Sequence, residues 1–175
     1  MNEEIIIAGA GGQGVMLLGK ILAEAAMRED KFTSMLPAYG AEVRGGTAHC
    51  MVVISDREIG SPYIEKASIL VVLNGPSLER FKNRIRKKGL LIINSSLASS
   101  YSCPGIVTVQ APFTDKAKEL GNIKVANIMA LGCLLSHRPV VGVDTVESLI
   151  SDFAPADKKY LAEINIAALK EGGRI

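Results

Sequence analysis

Short apolar segments alternate with amphipathic segments over the first two thirds of the chain. Segments rich in β-branched residues are typical of strands, whereas apolar residues at helical spacing predict helices. Strands are predicted over residues 4–8, 32–36, 47–55, 68–73, 90–94 and 106–110. A helix is predicted over residues 14–27, and another over residues 77–88, between Pro76 and Gly89. This alternation predicts an α/β domain.

The last third of the chain is predicted to be helical. The predicted helices cover residues 114–120, 125–135, 146–153 and 156–170. Asp144 or Thr145 offers a side-chain cap for the helix that begins at Val146, and Pro155 favours the start of the last helix. Because no linker or internal repeat separates these elements, we expect a single domain over residues 1–175.

The connection between the second and third predicted strands determines the kind of sheet. The second strand is predicted to end at Pro37, and residues 37–46 contain three glycines and no helical pattern. Because a parallel crossover needs about a dozen residues or more, these two strands are predicted to be antiparallel or not neighbours. Residues 68–73 are uninterrupted and apolar, as in a strand that is covered on both faces. We therefore expect a mixed sheet.

The composition points to no special class of partner. The 175 residues are 48% hydrophobic and 22% charged, with a formal net charge of +2. These values are ordinary for a globular domain and give no general attraction to nucleic acid or to an anionic membrane. The first residues, MNEEIII, are unlike a signal peptide, and no apolar stretch is long enough to span a bilayer. We expect a cytoplasmic protein with neither nucleic acid nor membrane as a partner.

The cysteines and histidines are too scattered to predict a metal or redox site. Cys50, Cys103 and Cys133 are odd in number and form no CxxC pair, so we expect buried or half-buried thiols in a reducing compartment. With only two histidines, His49 and His137, a zinc or iron–sulfur site made by this chain alone is not expected. We predict that both histidines lie in the core or at a helix end, with their hydrogen bonds satisfied.

A glycine loop, GAGGQGV, follows the first predicted strand and opens the first predicted helix. Gly9, Gly11 and Gly14 match the dinucleotide pattern G-x-G-x-x-G, and such a loop suits an anion because it presents backbone N–H groups at a helix N-terminus. A dinucleotide site also needs an acid at the end of the second strand, and none stands there. Three interpretations stay open: a structural turn, a complete NAD or FAD site, and a contact with a phosphate or a partner chain. Gln13, with an amide that can donate and accept, favours the third.

A second glycine-rich segment, YGAEVRGG, covers Tyr39 to Gly46. It is either a surface turn with a Glu42–Arg44 ion pair or a site in which the arginine binds a carboxylate or phosphate. The planar guanidinium of Arg44 suits those anions, and Gly45 and Gly46 leave room beside it.

Together, the two glycine motifs resemble the gamma subunit of 2-oxoacid:ferredoxin oxidoreductases. The resemblance extends through EIGSP (residues 58–62) and VANIMALG (residues 125–132), so it covers nearly the whole chain. Within the family, the sequence looks most like the 2-oxoglutarate (KorC-type) gamma subunit. The resemblance implies a Rossmann-like three-layer α/β/α sandwich with a mixed, mostly parallel sheet and a helical C-terminal third.

The resemblance also implies a division of labour within a complex that works in anaerobic metabolism. Partner alpha and beta subunits, and in some complexes a delta subunit, would carry thiamine diphosphate, Mg²⁺ and iron–sulfur clusters. The complex would decarboxylate a 2-oxoacid oxidatively, form an acyl-CoA from coenzyme A and reduce ferredoxin. The gamma chain would be inactive alone, would hold no redox cofactor and would help to shape the coenzyme A site. The sequence agrees with this division, because it has no thiamine–magnesium motif and no cysteine cluster.

The resemblance assigns no catalytic residue and no metal ligand to this chain, only contacts with coenzyme A or a partner subunit. These fall on Gly9, Gly11, Gly12, Gln13, Gly14, Tyr39, Gly40, Glu42, Arg44, Gly45, Gly46 and Asn127. Ala41 stands where the family is expected to have proline, which leaves this loop less rigid. The other candidate functions are the matching subunit of indolepyruvate:ferredoxin oxidoreductase and a stand-alone nucleotide- or phosphate-binding protein.

A run of basic residues falls within the predicted helix 77–88. It comprises Arg80, Lys82, Arg84, Arg86, Lys87 and Lys88. Such a run is either a solvated helix end, where cations are favourable, or a docking patch for an acidic partner subunit or ferredoxin. The solvated face is the preferred interpretation.

Overall fold

A computed structural model describes residues 1–39, 47–154 and 159–175 of the chain. The strands are β1 (Asn2–Ala10), β2 (Phe32–Tyr39), β3 (Thr47–Ser55), β4 (Ala67–Val72), β5 (Ile85–Asn94) and β6 (Val107–Ala111). The helices are α1 (Val15–Arg28), α2 (Gly75–Phe81), α3 (Phe113–Glu119), α4 (Ala126–His137), α5 (Val143–Phe153) and α6 (Lys159–Gly172). Short 3-10 turns, Lys82–Arg84 and Ile123–Val125, precede β5 and α4.

The strands form one mixed sheet in the order β2-β3-β1-β4-β5-β6. β1, β4, β5 and β6 are parallel, and β3 is antiparallel to both β1 and β2. The predicted mixed, mostly parallel α/β fold is confirmed, and so is the antiparallel relation of β2 and β3. β2 and β3 lie on one side of β1 in the sheet, and β4, β5 and β6 lie on the other side. The carboxyl ends of β1 and β4 therefore form a topological switch point, where α/β domains usually bind their ligands.

The two faces of the sheet are covered unequally. Side chains alternate between the faces along β1, so Ile5 and Ile7 join one buried cluster and Ile6 and Ala8 join the other. The first cluster takes in residues of α1, α3, α4, α5 and α6. On the opposite face, α2 and loop residues such as Ile64 supply the cover. Both faces of the central strands are buried, as the apolar runs predict.

α4 and α6 cross with their backbones in contact. A Cβ atom on Gly132 of α4 would collide with the carbonyl oxygen of Leu169, and one on Gly172 of α6 with that of Met129. Only glycine allows two helix backbones to approach this closely at both positions. The small residues of VANIMALG thus serve close helix packing.

The predicted helix over residues 77–88 is wrong in its second half. α2 ends at Phe81, and β5 begins at Ile85 and pairs with β4 through a bulge. Gly89 does not stop a helix; it lies inside β5, where a Cβ atom would come 3.0 Å from the carbonyl oxygen of Ser68. The local pattern of the basic residues favours a helix. Their actual conformation is decided by pairing with β4, a tertiary contact that the local pattern does not contain.

The boundaries of β2 and α5 are among those that also differ from the prediction. β2 continues through Pro37 to Tyr39, which an edge strand tolerates because its outer backbone groups need no partner. α5 begins at Val143 with no side-chain cap, so neither Asp144 nor Thr145 caps it. Instead, the Gly142 N–H donates to Glu29 Oε1 at 2.6 Å. The predicted start of the last helix at residues 155–158 lies outside the described residues.

Candidate functional site

The glycine loop leaves the carboxyl end of β1 at the switch point and enters α1. Gly12 and Gly14 have φ angles of 91° and 73°, a left-handed conformation that favours glycine. A Cβ atom on Gly9 would lie 2.8 Å from Gln13 Oε1. Gly11 has neither a positive φ nor any atom within 4 Å of a Cβ position. Nothing in the described part of the chain therefore requires glycine at position 11.

The side chain of Gln13 is turned inward and fastens the loop. Its Oε1 accepts a hydrogen bond from the Ala10 N–H at 2.6 Å, and its Nε2 donates to the Leu73 carbonyl at 3.1 Å. Leu73 follows β4, so Gln13 ties the ends of two neighbouring strands together. Because both ends of the amide are engaged within the chain, Gln13 here shapes the loop.

Asn94 and Thr114 belong to the same site, and the sequence reasoning missed both. Asn94 is the last residue of β5 and is 1% exposed. Its Nδ2 donates to the Leu73 carbonyl at 3.1 Å and to Thr114 Oγ1 at 2.8 Å, while its Oδ1 accepts from the Thr114 N–H at 3.3 Å. A polar residue directly after the apolar run 90–93, at the carboxyl end of a parallel strand, is the signal that could have found it.

Asn127, in the first turn of α4, connects that helix to the glycine loop. Its Nδ2 donates to the Gly14 carbonyl at 3.1 Å, and a Cβ atom on Gly14 would lie 2.8 Å from Asn127 Cγ. The side chain is buried, and its Oδ1 has no hydrogen-bond partner in the described part of the chain. Among the predicted site residues that the structure describes, Asn127 is brought to the glycine loop from a distant segment.

A cavity of about 150 Å³ opens between these groups. It is lined by Gly12, Gln13, Leu73, Asn94, Leu97, Thr114, Ile123, Lys124, Ala126 and Asn127. Sites for drug-sized ligands have volumes of roughly 300–1,000 Å³, so this cavity holds a fragment rather than a whole dinucleotide. Its lining includes no carboxylate for ribose hydroxyls.

The second predicted loop lies largely outside the described residues. Gly40, Glu42, Arg44, Gly45 and Gly46 are all in this gap, so the predicted Glu42–Arg44 alternatives stay predictions. Tyr39, the last residue of β2, is 73% exposed. It pairs with Ala48, which in turn pairs with Gly9. Since neighbouring strands lie about 4.8 Å apart, the second loop starts about 10 Å from the first, at the same edge of the sheet.

The histidines and cysteines lie away from this site or are unreactive. His49 is buried under α2 with its ring 4.8 Å from that of Phe81; burial, then the charges of Arg80 and Arg84, lower its pKa. Its Nδ1 has no partner in the described residues, so the predicted satisfied state is wrong for this atom. His137 lies at the end of α4, as predicted, with Nδ1 3.0 Å from the Cys133 carbonyl oxygen.

The thiols fit the predicted buried or half-buried state. Cys50 and Cys133 are buried and Cys103 is half-buried, and all three are free. Burial raises the pKa of Cys50 to about 12 and that of Cys133 to about 11, so neither carries the thiolate that nucleophilic or redox chemistry needs.

The basic run does not form one helix end. Lys82 pairs with Glu79 at 2.5 Å, Arg84 donates to backbone carbonyls of the segment before β4, and Arg86, on β5, lies 3.6 Å from Glu4. The basic residues are therefore divided between the end of α2, the short turn after it and the amino end of β5.

Residues 1–39, 47–154 and 159–175 contain neither a cluster of side chains suited to a metal ion nor a helix suited to crossing a membrane. No group of three or more His, Cys, Asp or Glu side chains there could hold a metal ion. No helix in these ranges has the length and apolar character needed to cross a bilayer.

The fold and site together define an α/β domain whose glycine loop, at the switch point of a mixed sheet, is fastened by buried amide side chains. The chain belongs to the pyruvate ferredoxin/flavodoxin oxidoreductase family, because the sequence profile of that family matches residues 4–175. The family resemblance predicted from the two glycine motifs is therefore confirmed.

Relatives of two lengths match the chain. The 2-oxoglutarate synthase subunit KorC of Methanocaldococcus jannaschii is 36% identical over 176 residues, which are 98% of this chain and 92% of that subunit. The ketoisovalerate oxidoreductase subunit VorA of Methanothermobacter marburgensis is 37% identical over 169 residues, 95% of this chain. The chain spans only 35% of the length of VorA.

Solved structures share the fold. The gamma subunit of a keto/oxoacid ferredoxin oxidoreductase from Geobacter sulfurreducens superposes with a TM-score of 0.85 at 29% identity, over 98% of this chain and 96% of that one. The 2-oxoglutarate:ferredoxin oxidoreductase from Magnetococcus marinus gives a TM-score of 0.90 at 22% identity, over 99% of this chain and 30% of that one. At that identity, the second likeness shows the fold alone.

Proposed function

We propose that this chain is the gamma subunit of a multi-subunit, thiamine-diphosphate-dependent 2-oxoacid:ferredoxin oxidoreductase, with 2-oxoglutarate as the substrate. The complex decarboxylates the 2-oxoacid oxidatively, forms the acyl-CoA and passes the electrons to ferredoxin. The alpha and beta chains, with delta in some complexes, carry thiamine diphosphate, Mg²⁺ and the iron–sulfur clusters. The complex works in the cytoplasm, and this chain is inactive alone.

The observation that carries the proposal is the match along nearly the whole length of a KorC subunit. The VorA subunit contains this domain within a much longer chain, so the domain also occurs together with further protein segments. The cavity beside the glycine loop has a volume of only about 150 Å³ and no acid for a ribose in its lining, which weighs against a stand-alone NAD- or FAD-binding protein.

The loops at the carboxyl edge of the sheet take the contact with coenzyme A or a partner subunit. The Magnetococcus marinus enzyme contains 2-oxoglutarate, coenzyme A and succinyl-CoA, which supports coenzyme A as a ligand of the complex. The proposed contacts are Gly9, Gly11, Gly12, Gln13, Gly14, Tyr39, Gly40, Glu42, Arg44, Gly45, Gly46 and Asn127. Arg44 anchors a phosphate of coenzyme A or a carboxylate of the partner, because its guanidinium binds either in a bidentate manner.

Ketoisovalerate is the second candidate substrate, since the VorA subunit is as similar in sequence as KorC. Indolepyruvate is the third, because the IorB subunit of Archaeoglobus fulgidus is 24% identical over 98% of this chain. The substrate pocket lies on the partner chains, so the test must use the assembled complex.

The experiment measures ferredoxin reduction by the complex purified with its partner chains, with coenzyme A and each 2-oxoacid in turn. We expect the highest kcat/KM with 2-oxoglutarate and no activity from this chain alone. Preference for another 2-oxoacid would reassign the substrate, and failure of this chain to co-purify with a thiamine-dependent partner would overturn the proposal. Arg44→Ala should raise the KM for coenzyme A or weaken assembly while thiamine diphosphate binding stays unchanged; if neither changes, Arg44 has no such role.

A further inference from the structure

Positive charge is concentrated in one stretch of the chain. Residues 65–88 contain seven lysines and arginines and two glutamates, which gives this stretch a formal charge of +5. The whole chain carries +2, so all the other residues together carry −3. Such a separation of charge creates a local field that attracts and orients a charged partner, even though the net charge is small.

The end of α2 does not account for these cations. A helix C-terminus stabilises basic side chains only within its last turn, and α2 ends at Phe81. Lys82 and Arg84 lie in the short turn that follows, and residues 86–88 lie in β5. The solvated helix end that the sequence favours therefore explains only the first part of the basic run.

Basic and aromatic side chains form a surface around the end of α2, which we call the cationic patch. The patch consists of Lys66, Arg80, Lys82 and Arg84 with the rings of Tyr63, Phe81 and Tyr101. The guanidinium carbons of Arg80 and Arg84 lie 5.4 Å and 5.7 Å from the centre of the Phe81 ring. Because both arginines lie against one ring, they can be reached together by a single partner segment.

Arg84 is held in place within the cationic patch. Its Nε donates to the Glu65 carbonyl at 3.2 Å, and its Nη2 donates to the Ile64 carbonyl. Its guanidinium also lies 5.5 Å from the centre of the Tyr63 ring. An arginine that is already fixed loses little side-chain entropy when its remaining N–H groups bind a carboxylate.

Little negative charge neutralises the cationic patch within the described part of the chain. Lys82 pairs with Glu79 at 2.5 Å. The Lys66 ammonium donates to the Asn83 carbonyl, and Arg84 likewise binds only carbonyl oxygens. Arg80 is exposed and has no ion pair within residues 1–39, 47–154 and 159–175. The patch thus offers cations that a carboxylate from another molecule can reach.

Apolar side chains accompany these cations. Tyr63 is 59% exposed, and Tyr101 is half-buried with its ring centre 5.6 Å from Lys82 Nζ. On the same face of the sheet, Ile59 and Ile106 are only partly buried against the core. Arginine together with tyrosine is the composition enriched at the centres of protein interfaces. The patch therefore has both the charge and the apolar area of a docking surface.

A second copy of this chain does not complement the cationic patch. In a twofold dimer the same surface faces itself, so the arginines of both copies would lie opposite one another. Like charges placed across an interface are unfavourable. The complementary surface is therefore acidic and belongs to a different chain.

We propose, on the basis of the proposed function, that the cationic patch docks an acidic segment of a partner subunit of the oxidoreductase. Carboxylates of that segment pair with Arg80 and Arg84, and its apolar side chains pack against Tyr63. Ferredoxin is not the occupant, because in the proposed complex the iron–sulfur clusters lie on partner chains and an electron acceptor must dock beside them. The patch orients the partner during association and covers the face of the sheet that carries the short helix α2.

The first test reverses one charge of the cationic patch. Arg80→Glu changes an exposed side chain, and the Kd between the full-length chain and the remaining subunits is measured by biolayer interferometry. We expect a Kd about tenfold higher than that of the wild type at about 0.05 M salt, and a smaller difference at about 0.5 M, because salt screens the charges.

The matched control is Lys159→Glu, which makes the same change of charge at an exposed position of α6. Residues of α6 belong to the core on the opposite face of the sheet. This variant should change the Kd by less than about twofold. Equal effects of Arg80→Glu and Lys159→Glu would overturn the proposal.

The second test removes an aromatic contact without a change of charge. Tyr63→Ala should raise the Kd about fivefold at both salt concentrations, because exposed tyrosines at interface centres contribute through packing. Its control is Tyr160→Ala in α6, where the tyrosine is 62% exposed against 59% for Tyr63. If the two variants weaken binding equally, the cationic patch is not the docking surface.

Kinetics of the assembled complex separate the partner subunit from ferredoxin. We expect the complex that contains Arg80→Glu, once assembled with excess chain, to keep the wild-type KM for ferredoxin. A higher KM for ferredoxin with an unchanged Kd for the subunits would assign the patch to ferredoxin and overturn the proposal. A wild-type chain that binds its partners through the patch, in a complex that oxidises no 2-oxoacid, would instead overturn the proposed function alone.

Discussion

The carbonyl oxygen of Leu73 accepts hydrogen bonds from two side chains, Gln13 Nε2 and Asn94 Nδ2. A carbonyl has two lone pairs, so both bonds are satisfied at once. In a buried site an amide N–H group left without an acceptor would be costly, and sharing this oxygen avoids that cost for both side chains. The ends of β1, β4 and β5 are therefore fastened at one atom, which gives the glycine loop a fixed base.

Glu29 makes a similar connection between two helices. Burial raises the pKa of its carboxyl, but hydrogen bonds from Lys31, the Gly142 N–H and Thr145 outweigh that effect and lower the pKa below the ordinary value of a glutamate. A lowered folded-state pKa adds stability above the unfolded-state pKa, and this stability is lost as the pH falls through the folded-state pKa. The carboxylate thus joins the end of α1 to the start of α5 at neutral pH.

We predict that Glu29→Gln lowers the free energy of unfolding by about 1 kcal/mol at pH 7 and by less below pH 4.5. Urea unfolding of the wild-type and variant chains, at pH 7 and again below pH 4.5, measures the loss of stability under each condition. Glu119→Gln, at an exposed position of α3, is the control and should change stability by less than about 0.5 kcal/mol. A loss that is the same at both pH values would mean that the charge of Glu29 is not what matters.

The crossing of α4 and α6 depends on glycine at the element scale. Because the Cβ of an alanine at Gly132 would meet the Leu169 carbonyl, the helices would have to separate, and both contribute to the core that covers one face of the sheet. We predict that Gly132→Ala lowers the free energy of unfolding by about 3 kcal/mol. Chemical denaturation measures this loss.

The control for this prediction is Gly60→Ala, since no atom lies within 4 Å of a Cβ there. It should change stability by less than about 0.5 kcal/mol. Similar losses from both substitutions would show that the helix crossing relaxes without cost.

β5 marks the limit of prediction at this scale. Its buried part, Leu90–Ile93, is apolar and was predicted, whereas Ile85–Lys88 is mostly basic and was assigned to a helix. In the structure Ile85 pairs with Ala67, and Lys88 adopts a φ of 64° beside the bulge. A bulge is set by the neighbouring strand, and the local pattern carries no signal of it.

For the whole molecule, the local part of the site was predictable and the assembled part was not. Strand, glycine turn and helix are adjacent in sequence, so Gly9 to Gly14 predict their own geometry. The cavity requires Asn94, Thr114 and Asn127 to meet the loop, and these come from three separate segments. Their meeting follows from the strand order, which brings β5 and α4 next to the switch point.

The contact between Gly14 of the glycine loop and Asn127 of α4 links the stability of the domain to its proposed function. Gly14→Ala forces a side chain into a φ of 73° and places a Cβ against the Asn127 amide. Gly105→Ala imposes a similar strain at a φ of 79°, with no atom within 4 Å of the Cβ. Gly105→Ala is thus the control: it carries the backbone cost of a positive φ, about 1 kcal/mol, without a collision between the new Cβ and another side chain.

We predict that Gly14→Ala lowers the free energy of unfolding by about 3 kcal/mol, against about 1 kcal/mol for Gly105→Ala. In the assembled complex, Gly14→Ala should also raise the KM for coenzyme A, because the displaced Asn127 loses its position in the cavity. Denaturation of the isolated chain and steady-state kinetics of the complex measure the two effects. If both variants lose the same stability and keep the same KM for coenzyme A, the loop and Asn127 do not act together. The binding of coenzyme A then does not depend on the contact between them.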